Sequence, residues 1–227
     1  MKKRRRPAAK LILRWVLCLA LGFYAACSLC LLALRWVDPP FTSVHIERRI
    51  EAMLHHRSCQ KRYKFVPLNR ISTAFRHAVI AGEDARFYQH QGIDWKEMGK
   101  VIDDDLEHGR LGRGGSTITQ QLVKNLFLTT NRSIIRKGVE FTLVPLAELI
   151  LSKKRILELY LNVIEWGPGV YGAEAAARYY YHSPASAIGR EQGARLAACL
   201  PSPLKRKPAR MDGYSAIILG RMRQVGW

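Results

Sequence analysis

The apolar pattern opens with one uninterrupted run. From Trp15 to Leu34, twenty residues carry no formal charge, and Arg14 and Arg35 bracket them. At about 1.5 Å per residue, such a run in helical form spans the roughly 30 Å hydrocarbon layer of a bilayer. The pattern predicts one transmembrane helix over residues 15–36, with Trp15 and Trp36 at the two ends, where amphipathic rings favour the headgroup region. A cleavable signal peptide is the alternative. Its apolar region is only about 7–15 residues long, however, and here a polar, Pro-marked stretch follows in place of a clear cleavage site.

Beyond the anchor the periodicity is helical almost throughout. Ile71, Phe75, Ala78 and Val79 form one stripe, Trp95, Met98, Val101, Ile102 and Leu106 a second, and Leu157, Tyr160, Leu161 and Ile164 a third. Strand-like alternation is scarce, so the predicted class is mainly α. Asp94 followed by Glu97 predicts a capping-box start for the second of these helices, and Gly109 suits its end. Gly109 to Gly115 holds four glycines and two arginines, the composition of a mobile basic loop suited to clamping a substrate. Pro145 predicts a kink or break near Val144. The expected layout is a basic tail over 1–14, the anchor over 15–36, a membrane-proximal connector over 37–66 and one domain over 67–227.

Charge sharpens this picture. The net charge is +19; seven of these charges lie in residues 1–14 and one is Arg35, so +11 belongs to the rest of the chain. Lys2, Lys3, Arg4, Arg5, Arg6 and Lys10 precede the span, which places the N-terminus in the cytoplasm and the domain outside. A basic surface attracts anionic headgroups, diphosphates or nucleic acid, and the outward topology disfavours nucleic acid. Cys18, Cys27 and Cys30 fall in the apolar run as small packing residues. Pairing of Cys59 with Cys199 is left open, and no cysteine or histidine spacing argues for zinc.

Three groups of residues carry candidate chemistry. If Ser116 caps a helix running to about Leu128, then Thr117, Gln120, Gln121 and Lys124 make a polar stripe opposite Ile118, Leu122 and Leu126. Amides and hydroxyls around one lysine differ from the Glu and Lys of an ordinary wet face and suit sugars and phosphates. Glu83, beside Asp84 just past the apolar turns ending at Ala81 and Gly82, is placed for acid or base work if burial lifts its pKa. Arg136, Lys137 and Glu140 share one predicted helix, either as a surface ion pair or as cations holding a diphosphate. His90 reads as a buried hydrogen-bonding residue, and Asp103, Asp104 and Asp105 as a solvated face.

Taken in order, Glu83-Asp84-x-x-Phe87-x-x-His90-x-Gly92, Gly114-Gly115-Ser116-Thr117-x-Thr119-Gln120-Gln121, Arg136-Lys137-x-x-Glu140 and Lys153-x-x-Ile156-Leu157-Glu158-x-Tyr160-Leu161-Asn162 resemble the peptidoglycan glycosyltransferases. The resemblance extends from about Pro67 to Pro203, and a chain stopping at Trp227 leaves no room for the transpeptidase domain of the bifunctional members, so a monofunctional member is expected. It implies a lysozyme-like α fold with a membrane-proximal lobe, and polymerisation of lipid II into glycan strands by inverting transfer with release of undecaprenyl diphosphate. By motif position, Glu83 is the general base, and Glu140 with Lys124, Arg136, Lys137 and a divalent cation, Mg or Mn, assists the leaving group. Ser116, Thr117, Gln120 and Gln121 shape the donor pocket, while Asp84, Phe87, His90, Gly92, Gly114, Gly115, Lys153, Glu158 and Asn162 support the site. No organic cofactor is implied. The implied partners are lipid II, the growing strand, membrane lipids and other cell-wall synthesis proteins, and the implied place is the bacterial inner membrane with the catalytic domain in the periplasm. The family pattern has a glycine after an aromatic pair where this chain has Tyr179-Tyr180-Tyr181-His182. Two other readings stand beside this one. A membrane-anchored, lysozyme-like glycan-cleaving enzyme has no evident need for the cation cluster, and a noncatalytic cell-wall scaffold has no need for Glu83.

Overall fold

The computed structural model describes residues 6–56, 58, 60–108, 115–131 and 133–227, with backbone only for 6–9, 102 and 104–108. Helix α1 (Arg6–Ala33) is followed by α2 (Ser43–Leu54), strand β1 (Arg62–Tyr63), and helices α3 (Thr73–Glu83), α4 (Trp95–His108), α5 (Ile118–Phe127), α6 (Ile134–Ile150) and α7 (Lys153–Val163). Strands β2 (Glu165–Gly167) and β3 (Val170–Tyr171) lead into α8 (Ala173–Tyr181), α9 (Arg190–Ala197) and α10 (Asp212–Gln224). The short sheet has the order β1-β3-β2, parallel between β1 and β3 and antiparallel between β3 and β2.

The first and third stripes read from the sequence are the faces that pack; the second is not, for on α4 Trp95 is 67 % exposed and Met98 and Val101 are only half-buried. Ser72 caps α3 by accepting from the Phe75 amide at 3.1 Å, and Phe75, Ala78, Val79 and Ile80 turn inward against α9 and α10. The fit is close, because a Cβ on Gly193 of α9 would stand 3.1 Å from the Phe75 Cα. Helix α5 lies between α6 and α7, with Ile118, Leu122, Val123, Ile156, Leu157 and Tyr160 buried. Trp166 closes this core, its ring centroid 5.2 Å from that of Phe75. Asp94 begins α4 as expected, its Oδ1 accepting from the Glu97 amide at 3.0 Å.

Pro145 does not break α6, which runs unbroken from Ile134 to Ile150. A proline inside a helix removes one backbone bond and crowds the preceding turn. Here packing outweighs that cost, for Leu143, Val144 and Ala147 are fully buried and α1, α5 and α7 all touch α6.

Among the described residues, one helix is long and apolar enough to cross a membrane, Lys10–Ala33. Its last turns belong to the folded domain. Cys27, Leu31 and Leu34 are buried, and the Tyr24 hydroxyl bonds the Thr142 hydroxyl of α6. Arg155, at the start of α7, holds the exit. Its guanidinium donates to the carbonyls of Leu34 at 2.8 Å and Val37 at 2.9 Å, pairs with Asp38 at 2.9 Å, and also meets Glu158.

His182 ends α8 in the left-handed region at φ 53°, the conformation for which glycine is the usual residue. Glycine there relieves roughly 1–2 kcal/mol of steric cost and returns part of it as unfolded-chain entropy. His182→Gly should therefore stabilise the protein by about 0.5–1 kcal/mol, read as a higher thermal or denaturant midpoint. A loss of stability of that size would contradict the strain argument.

Candidate active site

Glu83 is the last residue of α3, half-buried where that helix meets α5 and α7. Its Oε2 accepts from Gln121 Nε2 at 2.7 Å, and Gln121 Oε1 accepts from the Tyr160 hydroxyl at 3.0 Å. The glutamine amide is thus held at both ends, and the carboxylate is seated by a chain of bonds crossing three helices. Burial pushes the Glu83 pKa up and Asp84 adds to the rise; the Gln121 bond, Lys124 and Arg206 offset part of it. Burial also keeps the Tyr160 phenol well above its ordinary range, so it stays a neutral donor.

Asp84 fixes the backbone around this carboxylate. Its Oδ1 bonds His90 Nε2 at 2.8 Å, and its Oδ2 accepts the first free amide of α5, that of Ile118, at 3.0 Å. His90 is the buried hydrogen-bonding residue expected. Asp84, His90 and Asp94 lie close enough to suggest a metal trio, with ligand atoms within 4.8 Å. Asp84 has both oxygens engaged, and Asp94 is taken by the Glu97 amide and by Arg86 at 3.3 Å, so the trio serves as a brace.

A second cluster spans α5 and α6. Glu140 is 2 % exposed, and its oxygens accept from Arg136 at 2.6 Å and from Lys137. Lys137 also donates to Ser116 Oγ at 3.1 Å, and Arg136 Nε to the Asn131 carbonyl at 2.7 Å. Lys124 Nζ has no hydrogen-bond or ion-pair partner at contact distance among the described residues, yet it feels both carboxylates. Burial lowers its pKa, as do Arg136 and Lys137, while Glu140 and Glu83 raise it. Lys124 is therefore within electrostatic reach of both the Glu83 carboxylate and the Arg136–Lys137–Glu140 cluster.

Thr117, not Ser116, is the cap of α5, which ends at Phe127 rather than Leu128. The Gln120 amide bonds Thr117 Oγ1 at 3.2 Å and the Thr117 amide bonds Gln120 Oε1 at 2.9 Å, a reciprocal box. Thr117 also donates its hydroxyl to the Gly92 carbonyl. Thr117 and Gln120 are buried and spent on the cap, so of the predicted stripe only Gln121 and Lys124 reach the carboxylates, with Ser116 beside Lys137.

The remaining expected residues hold the frame. Gly92 sits at φ 85°, where a Cβ would lie 2.4 Å from Val144 Cγ1, so the close approach of its loop to α6 needs glycine. Lys153 pairs with Glu148 at 2.8 Å and lies 4.5 Å from the centroid of buried Phe87. Asn162 exchanges bonds with both backbone groups of Val66 at 2.9 Å, and Glu158 accepts from the Leu68 amide at 2.6 Å. A Cβ on Gly115 would lie 3.8 Å from Val101 Cγ2, an ordinary contact. Gly114, the rest of the loop 109–113, Cys59 and the side chains of Asp104 and Asp105 lie outside the described residues; Asp103 is exposed as expected, and Cys199 is a buried free thiol.

Tyr160 and Thr119, which stood in the ordered motifs with no site role given them, and Glu148, which the sequence did not single out, help to form the site. Thr119 donates to Glu148 Oε1 at 2.6 Å, which ties α5 to α6 beside the Lys153 pair. For Tyr160 a signal existed, because a tyrosine in a core stripe must find a partner for its hydroxyl. Glu148 offered none, being one acidic residue on a helix that reads as apolar.

Comparison with known proteins agrees with the geometry. A transglycosylase family model matches residues 50–224. The chain is 46% identical over 191 residues to the biosynthetic peptidoglycan transglycosylase of Dechloromonas aromatica, covering 82% of this chain and 83% of that protein. The proteins of the same description from Thiobacillus denitrificans and Pseudomonas entomophila are 45% and 44% identical, covering 84% and 90% of this chain and 85% and 87% of theirs. A mainly helical, lysozyme-like domain matched by a transglycosylase model defines a glycosyl-transferring class. The chain belongs to the transglycosylase family and is a peptidoglycan glycosyltransferase.

The raised Glu83 pKa has a consequence for stability. A carboxyl whose pKa is higher folded than unfolded contributes stability at low pH that is lost as pH rises through the folded value. Glu83→Gln removes that loss. The variant should melt above wild type at pH 7–8, with the gap closing as pH falls to about 4, near the ordinary glutamate value. A gap that stays constant with pH would show that burial does not perturb this carboxyl.

Proposed function

We propose that this chain polymerises lipid II into uncrosslinked glycan strands by inverting glycosyl transfer, releasing undecaprenyl diphosphate. One observation carries the reading: Lys124, without a hydrogen-bond or ion-pair partner among the described residues, feels both a proton acceptor, Glu83, and a cation cluster, Arg136 and Lys137 on Glu140. The reaction needs both. As the acceptor sugar's 4-hydroxyl oxygen attacks the donor's anomeric carbon, its proton passes to the Glu83 oxygen not engaged by Gln121, and the carbon–oxygen bond to the diphosphate breaks on the opposite face. The diphosphate leaves with the bonding pair, and Lys124, Arg136 and Lys137 neutralise its charge. Gln121 and Ser116 border the space between the two centres.

A glycan-cleaving enzyme has no diphosphate to stabilise, and Glu140, with both oxygens on cations, is built to hold those cations rather than to protonate a leaving sugar. A scaffold leaves the Tyr160–Gln121–Glu83 chain unexplained. The expected Mg or Mn fits Glu140 poorly, since three cationic side chains already surround that carboxylate and would repel a fourth cation. No step is therefore assigned to a metal.

In this reading the N-terminus is cytoplasmic and the domain lies on the outer face of the inner membrane, where lipid II and the growing strand meet it. Ile134, Ile135 and Leu149, exposed on the α6 that α1 packs against, support a lobe that touches the bilayer.

The test uses full-length protein in detergent, labelled lipid II and separation of the glycan products. Wild type should polymerise, Glu83→Gln should lose at least about 100-fold in rate, and Lys124→Met about 100-fold or more, with both variants folded. Polymer at the wild-type rate from Glu83→Gln would overturn the assignment of the base. Cleavage of preformed glycan by wild type without synthesis would overturn the reaction.

A further inference from the structure

A cavity of about 530 Å³ lies away from Glu83, just past the membrane exit, and the reaction proposed above does not use it. Pro40, Phe41, His45, Ile46, Arg49 and Lys61 line it. Its position is fixed to the anchor. Arg155 holds Leu34, Val37 and Asp38; the Tyr63 hydroxyl donates to the Pro39 carbonyl at 2.5 Å, and Lys61 Nζ to the Pro40 carbonyl at 3.0 Å.

His45 is 5 % exposed, with its ring against Tyr63 and Tyr171. Its Nε2 lies 3.2 Å from the Val163 carbonyl, which can only accept, so Nε2 carries the proton. Burial, with Lys61 nearby, pushes the His45 pKa down to about 4, so the ring is neutral at pH 7. Nδ1 is then a buried acceptor, and among the described residues no donor reaches it. A buried acceptor left unmade costs about 1–3 kcal/mol, so a ligand that supplies a donor is favoured there. Arg49 is exposed on the rim with no ion-pair or hydrogen-bond partner among the described residues, and Lys61 adds a second cation. Phe41 and Ile46 are exposed, and Ile50 and Met53 continue the apolar face of α2 at i+4 and i+7 from Ile46.

Two cations call for an anion, the bare imidazole nitrogen calls for a hydroxyl, and the apolar rim beside the anchor calls for acyl chains. We propose that this cavity binds the headgroup of an anionic phospholipid that carries a free hydroxyl, with its phosphate on Arg49 and Lys61 and its hydroxyl donating to His45 Nδ1. The same phosphate and hydroxyl chemistry exists in soluble glycerol phosphate; the apolar rim and the place at the membrane exit assign the lipid. The site depends on the anchor reading for its ligand source and not on the proposed reaction.

Native mass spectrometry of the full chain in detergent, titrated with phosphatidylglycerol and with phosphatidylmethanol, separates charge from hydroxyl. The two lipids carry the same charge and differ in the glycerol hydroxyls. Wild type should retain one tight phosphatidylglycerol, preferred about fivefold or more over phosphatidylmethanol. Arg49→Glu should weaken it roughly tenfold, and the charge-matched control at exposed Lys207, Lys207→Glu, by less than about twofold. His45→Phe should bind both lipids alike; if that variant fails to fold, the wild-type preference and the Arg49 comparison still decide. Equal affinity of wild type for the two lipids, or equal weakening by Arg49→Glu and Lys207→Glu, would overturn the site. Free sn-glycerol 3-phosphate binding as tightly as the lipid would overturn its assignment to the membrane.

Discussion

The carboxylate of Asp84 joins the end of α3 to the start of α5, and the geometry of the site depends on that junction. One oxygen takes the Ile118 amide, a free donor at a helix N-terminus, and the other takes His90, so the chain must turn where α3 stops. Glu83, one residue earlier, is then carried to the side of α5 that bears Gln121 and Lys124. The capping box and the Thr117 bond to Gly92 lock the same corner from the other side, and Gly92 is the residue that lets the loop come close enough to α6. An acid or base is useful only when its position is fixed, and here the Asp84 junction sets the backbone while Gln121 and Tyr160 hold the carboxylate.

Electrostatics follow from that placement. Burial makes the ionised Glu83 and the protonated Lys124 both costly, and each partly offsets the cost of the other. Glu140, in contrast, is fully matched by Arg136 and Lys137. The fold thus leaves Glu140 matched and Glu83 and Lys124 underpaired, and underpaired buried charges of this kind mark candidate functional sites. Helix α1 is part of the same architecture, because Arg155 ties its C-terminal end to the helix that carries Tyr160, and Tyr160 orients the amide that holds Glu83.

Much of this was legible in the chain. The stripes of α3 and α7 fell where the core is, whereas that of α4, led by exposed Trp95, did not, and the ordered motifs pointed to Glu83, the Arg136–Lys137–Glu140 cluster and Asn162. The choice between Ser116 and Thr117 as cap was not legible, since adjacent hydroxyls cap about equally well and the loop entering from Gly92 decides. That choice turned Thr117 and Gln120 from pocket residues into frame. Pro145 misled for a related reason: local propensity argued for a break, and burial of Leu143, Val144 and Ala147 outweighed it. The docking of the anchor on α6 rests on contacts across more than a hundred residues, which no periodicity reports.

The central claim is that Glu83, with its pKa raised by burial and its amide-held geometry, takes the proton in the transfer step. The most direct measurement is the pH profile of kcat/KM for glycan synthesis, whose acidic limb reports the essential base of the free enzyme. The account predicts a limb with an apparent pKa above the ordinary glutamate value of about 4.3, absent from the residual activity of Glu83→Gln. A profile that stays flat through that range, or a limb that survives unchanged in Glu83→Gln, would contradict it.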